Sequence, residues 1–148
     1  MPAAKTKSNG KAQLIRDLKS GEFAPLYIIS GEETYLKEYY LRQLREKVVD
    51  PSFADFNLIE FDGKGLTVEQ LTEAIDSYPA MSEKKLIIVS DFDLFKPPAV
   101  FSEVLPEILG DLPDYVCLVF YYDVLEGKPD KRTKLYKTLE KNACFAEF

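Results

Sequence analysis

Three stretches of this chain, PLYIIS (25–30), KLIIVSD (85–91) and YVCLVFYYD (115–123), are apolar with almost no polar interruption. A strand with one face in water alternates polar and apolar residues, whereas a strand covered on both faces does not have to. Two further strand-like segments, NLIEF (57–61) and CFAEF (144–148), complete the set. Between them the period changes. QLIRDLKSG (13–21) carries Leu14, Ile15 and Leu18 at helical spacing and stops at Gly21. Residues 34 to about 49 place Leu36, Tyr40, Leu41 and Leu44 on one helical side. Thr67 and Gln70 form a capping-box signature ahead of Val68, Leu71 and Ile75, and Pro79 marks the end of that helix. Residues 99–109 and 130–142 predict two more helices. Strand and helix in regular alternation predict an α/β domain, a five-stranded parallel sheet with helices on both faces and right-handed crossovers.

With 148 residues the chain suits one domain of this kind. MPAAKTKSNGKA lacks an apolar segment, so residues 1–12 are expected to be a flexible, dispensable leader before a domain at 13–148. The sequence stops on its last strand, which suggests a fragment of a longer chain. No run approaches the ~18 apolar residues of a membrane span, and no secretory signal is visible. Cys117 and Cys144 each lie in an apolar run, as buried thiols of a reduced, cytoplasmic protein do. The chain has no histidine. Catalytic triads built on imidazole and histidine metal sites are thereby excluded. A net charge of −6 argues against a surface that coats nucleic acid.

The loop after the first strand invites a test for nucleotide binding. ISGEETYLKEYY sets a strand, a glycine and a helix in the order of a phosphate loop, G-x-x-x-x-G-K-[ST]. Gly31 occupies the first glycine position and Lys37 the lysine position. Leu36 stands in place of the second glycine, where backbone must approach phosphate, and Glu38 in place of the metal-binding hydroxyl. Glu32 and Glu33 add negative charge inside the loop. Ser30 and Glu33 also match a capping box, so the protein's own carboxylates are expected to fill the helix N-terminus. Lys37 is then expected to be a solvated helix lysine. Asp91 and Asp93 follow Ser90 rather than the apolar run directly, and turn chemistry is expected there rather than a metal site.

These segments together, PLYIISGEETYLKEYYLRQLREKVV, FNLIEFDG, LTEAIDSYPAMSEKKLIIVSD, PDYVCLVFYYD and DKRTKLYKTLEKNACFAEF, resemble the N-terminal domain of the bacterial DNA polymerase III delta subunit. The resemblance rests on G-x-E-x-Y-L after the first strand, the Pro-x-x-x-x-[KR]-[KR]-L entry to the third, and D-[KR]-R-x-K-L-x-K on the last helix. It spans residues 13–148. It implies an AAA+ fold, P-loop NTPase-like with a degenerate phosphate loop, no cofactor and no catalysis. It also implies a role in DNA replication, as the clamp-loader part that binds and opens the sliding clamp (beta subunit). The gamma/tau and delta prime subunits would be met through two further helical domains, and DNA only within the full assembly.

The same resemblance implies a hydrophobic wedge at Tyr78, Pro79, Ala80 and Met81. The wedge commonly carries two large side chains, and here Ala80 precedes Met81. On the residues alone, Met81 either anchors in a partner or caps its helix against the sheet. Lys84 and Lys85 are expected at an exposed strand entry. Phe120, Tyr121 and Tyr122 are expected in the core or at a sheet edge. Lys131, Arg132, Lys134, Lys137 and Lys141 are expected on a solvated face. The competing functions are a small P-loop NTPase or kinase with an irregular loop, and a nucleic-acid scaffold. The loop carboxylates oppose the first and the net charge the second.

Overall fold

The computed structural model describes residues 7–148. In chain order the elements are α1 (Lys7–Ser20), β1 (Leu26–Ser30), α2 (Thr34–Val48), a 3-10 turn (Pro51–Phe53), α3 (Ala54–Asn57), β2 (Leu58–Asp62), α4 (Val68–Asp76), β3 (Lys85–Ser90), α5 (Ala99–Ser102), α6 (Leu105–Gly110), β4 (Val116–Tyr121), α7 (Lys134–Asn142) and β5 (Ala143–Glu147). The strands form one five-stranded sheet in the order β2-β3-β4-β1-β5. Every neighbouring pair is parallel. The α/β expectation therefore holds in strand number and direction.

Period two divides the central strands between two cores. Leu26 and Ile28, Ile87 and Val89, and Leu118 and Phe120 face one side, where Leu71 and Ile75 of α4, Leu105 and Leu109 of α6, and Leu135 and Leu139 of α7 cover them. Tyr27 and Ile29, Leu86 and Ile88, and Cys117 and Val119 face the other, covered by Leu14 and Leu18 of α1 and Leu41 and Leu44 of α2. Phe120, Tyr121 and Tyr122 are all buried. Each such side chain contributes roughly 1.5–3 kcal/mol by leaving water.

Several local expectations hold. Gly21 follows α1 at φ 80 and its N–H reaches Asp17 O at 2.9 Å. Thr67 Oγ1 accepts from Gln70 N–H while Gln70 Oε1 accepts from Thr67 N–H, which is the capping box. Others are corrected. Residues 99–109 are two short helices, because Pro106 has no N–H and its ring would meet the carbonyl one turn back. The last helix starts at Lys134, with Thr133 as its cap, rather than at 130.

The expected leader divides. Residues 1–6 lie outside the described residues, whereas 7–12 belong to α1. That helix lies on β5 closely enough that a Cβ on Gly10 would sit 1.6 Å from Phe145 O. Gly10 O in turn accepts from Cys144 Sγ at 3.1 Å. We therefore expect Gly10→Ala to destabilise the domain by about 2 kcal/mol, since backbone rather than a flexible side chain must yield. Urea unfolding with an unchanged midpoint would show that α1 is free to move off the sheet.

The buried hydroxyls and thiols predict alkaline sensitivity. Burial pushes Cys117, Cys144 and Tyr121 up to about 12, and raises Tyr27 and Tyr122 further. Burial lowers Lys85 instead. A raised folded-state pKa means the unfolded chain releases its proton first. The stability tied to those five groups is complete below the ordinary thiol and phenol values and declines as pH rises towards 12. Lys85 acts in the opposite direction and is outnumbered. Urea midpoints should be level from pH 7 to about 8.5 and fall above about pH 9; a rising midpoint there would contradict this burial pattern.

Candidate docking tip and a filled phosphate loop

Ligands of open parallel sheets bind in the crevice beyond the carboxyl ends of the strands. In this chain that crevice receives the loops after β1, β3 and β4. Gly31 takes φ 113 after β1, and beside it runs the end of β5. Phe148 N–H donates to Ser30 O at 2.8 Å, and Phe148 O accepts from the N–H groups of Glu32 at 2.9 Å and Glu33 at 3.4 Å. The amides that a phosphate loop would turn towards an anion are thus taken by the main-chain oxygen of Phe148.

This corrects the expected capping box. Glu33 stands at the cap of α2 and no side chain caps it, so Ser30 and Glu33 do not pair in that way. Both loop carboxylates are exposed, as is Glu38, and the helix start is met by the main-chain oxygen of Phe148 rather than by the loop's own side chains. The solvated-lysine expectation fails too. Lys37 is buried, its Nζ donates to Tyr122 O at 2.7 Å, and it lies 5.7 Å from the Tyr121 ring centroid. In the phosphate-loop position this lysine ties α2 to the end of β4. Leu36 is half-buried beside it.

The acidic residues after β3 are also engaged. Asp91, at φ 54, accepts through Oδ1 from the N–H groups of Asp123, Val124 and Leu125 at 2.9, 2.9 and 3.0 Å. Asp93 Oδ1 accepts from Phe95 and Lys96 N–H. Asp93 thus performs the expected turn chemistry, whereas Asp91 ties the start of its loop to the distant loop after β4. Among the described residues no group of three or more His, Cys, Asp or Glu is placed to hold a metal ion.

The opposite end of the sheet carries the Tyr78–Met81 segment. Tyr78 is 83% exposed and Met81 79%, so Met81 does not pack its helix against the sheet. The segment is nonetheless fixed from several sides. Lys85, expected at an exposed entry, is buried; its Nζ donates to the backbone oxygen of Ser77 and to Ser77 Oγ at 2.8 Å, capping the end of α4. Tyr115 Oη donates to Asp76 O at 2.9 Å, and the Tyr115 ring lies 5.0 Å from that of Tyr78. Lys84 Nζ donates to Asp114 O at 2.7 Å. Pro79 is half-buried and Ala80 exposed. Asn57, fully buried, donates from Nδ2 to Ala80 O and accepts at Oδ1 from Ala80 N–H, both at 2.7 Å. Met81 follows at φ 56, a conformation that costs an L side chain roughly 1–2 kcal/mol.

Sequence reasoning did not single out Asn57. It stands directly before an apolar run and was absorbed into the second strand, and nothing in its neighbourhood announces a partner twenty-three positions away. The basic side chains Lys131, Arg132, Lys134, Lys137 and Lys141 are exposed, as expected.

Comparison with known proteins decides the family. A family profile described as DNA polymerase III, delta subunit, matches residues 27–148. The chain belongs to the DNA polymerase III delta subunit family. It is 32% identical over 137 residues to the DNA polymerase III subunit delta of Bacillus subtilis (strain 168), covering 89% of this chain and 39% of that one. A solved structure of the Bacillus subtilis DNA clamp loader delta protein superposes with a TM-score of 0.78 at 30% identity, over 93% of this chain and 42% of the other. A DNA polymerase III gamma subunit-related protein of Thermotoga maritima gives 0.63 at 17% identity, over 92% and 45%, and shares the fold. The chain thus spans about two fifths of the length of the delta relatives it matches. The fold is AAA+-like, as those neighbours are.

Proposed function

We propose that this domain is the clamp-contacting part of a clamp-loader delta subunit, docking on the sliding clamp through Tyr78, Pro79, Ala80 and Met81 and working without nucleotide. The observation that carries this is Met81: a large apolar side chain 79% exposed, in a strained backbone conformation, on a segment tied down by buried polar groups. Exposed apolar residues on a rigid support are the usual anchors of a protein interface. The role belongs to DNA replication in the cytoplasm. Contacts with gamma/tau and delta prime subunits, and with DNA, would be properties of the assembled loader. Titrating the chain into the sliding clamp of its own organism tests the proposal, and saturable binding is the expected result.

The absence of nucleotide binding is supported by the occupied loop. Glu32 and Glu33 N–H groups are used by Phe148 O, and Lys37 Nζ is used by Tyr122 O. A small P-loop NTPase or kinase would need all of these free for phosphate. Calorimetry with Mg-ATP is expected to give no saturable heat into the millimolar range. Micromolar affinity would overturn this part of the proposal.

A further inference from the structure

The geometry points to Asn57 as the positioning residue of the docking tip, and to Phe56 beside it as a further contact residue that offsets the small side chain of Ala80. This rests on the docking role given above to Tyr78–Met81.

Asn57 closes α3 and Ala80 lies in the loop between α4 and β3. The carboxamide meets the Ala80 backbone as a neighbouring strand would, one donor to the carbonyl and one acceptor for the N–H, both at 2.7 Å. Only one orientation of the amide serves both, so the pair fixes Ala80 in direction as well as in place. That fixation accounts for the persistence of φ 56 at Met81, since a strained residue remains only where its surroundings over-determine it. Holding the tip in its bound shape before contact removes an ordering cost from association.

The second half of the inference follows from the same link. Phe56 is 68% exposed, an aromatic side chain left in water on a four-residue helix. It is the chain neighbour of Asn57, as Met81 is of Ala80, so the Asn57–Ala80 pair joins their two segments at one place on the surface. Phe56 would thus add apolar area next to a segment where Ala80 offers little. The occupant is the one proposed for the tip, the sliding clamp, because the two exposed side chains flank a single hydrogen-bonded pair and Tyr78 lies on the same loop.

Binding kinetics on immobilised sliding clamp, with amide hydrogen exchange on the same samples, test this. Phe56→Ala should weaken binding about tenfold with unchanged thermal stability, because the side chain supports no core. Asn57→Ala should weaken it by a similar factor and speed exchange at the Ala80 N–H, while the amides of β3 and β4 stay protected. Asn57→Asp keeps the acceptor for Ala80 N–H but sets a buried carboxylate oxygen against Ala80 O, and should weaken binding at least as much as Asn57→Ala. Met81→Asp serves as the check on the docking role itself. If Met81→Asp abolishes binding while Phe56→Ala, or Asn57→Ala with an exposed Ala80 amide, binds like the unaltered chain, the inference is overturned and the docking role stands. Should Asn57→Ala fail to fold, Phe56→Ala decides the matter. Binding by Met81→Asp at full strength would remove the docking role and this inference together.

Discussion

Met81→Asp is expected to abolish clamp binding and leave the fold intact. An apolar anchor seated in a partner pocket contributes ~2 kcal/mol or more, and a carboxylate forced into the same pocket adds a desolvation penalty of several kcal/mol. Affinity should fall by more than about a hundredfold. Stability should change by less than ~0.5 kcal/mol, because the side chain is 79% exposed and touches no core cluster. Asp also tolerates a positive φ better than Met, which works slightly in its favour at φ 56. Both quantities should be read on one preparation. Retained binding would remove the tip from the interface, and a large loss of stability would mean that Met81 supports the fold.

Gly31→Ala is expected to show the reverse, a large loss of stability that reflects a filled loop. A Cβ there would lie 1.9 Å from Phe148 O and 2.5 Å from Phe148 N, and φ 113 is unfavourable for any L side chain. Strain and steric displacement together should cost about 3 kcal/mol, a fall of roughly 10 °C in Tm for a domain of this size. Gly65→Ala is the control: it has φ 87 and nothing within 4 Å of its would-be Cβ, so it carries the strain without the collision. It should cost only ~1 kcal/mol. Equal losses at the two positions would mean that the end of β5 is not pressed onto the loop. In a working phosphate site the glycine serves the approach of a ligand; here it serves the approach of the chain's own strand.

The two substitutions separate the two ends of the sheet. The carboxyl end, where nucleotides bind in such folds, is closed by Phe148 O, Asp91 and Lys37. The other end carries the exposed Tyr78 and Met81 above the Lys85 and Asn57 anchors. In the proposed docking role, binding through the second end would need nothing from the first.

Sequence alone determined the sheet. Continuous apolar runs at 25–30, 85–91 and 115–123 leave a strand no wet face, and helical periods between them leave parallel pairing as the way to cover both sides. It also places Leu36 and Glu38, after the loop at Gly31, where a phosphate loop carries a glycine and a hydroxyl, a departure in size and charge that is legible without the fold. What filled that loop was decided only by tertiary structure. The capping box was a local pattern, and it lost to the main-chain oxygen of Phe148, which β5 delivers from more than a hundred residues away. The lysines misled for the same reason. Lys37 and Lys85 look like any surface lysine in sequence, and only the packed fold brings Tyr122 O and Ser77 Oγ within reach and excludes water around them. The same holds for Asn57 and Ala80, whose pairing depends on two loops meeting in space. Periodicity records which face of an element is buried; it carries no record of which distant polar atom that burial will have to satisfy.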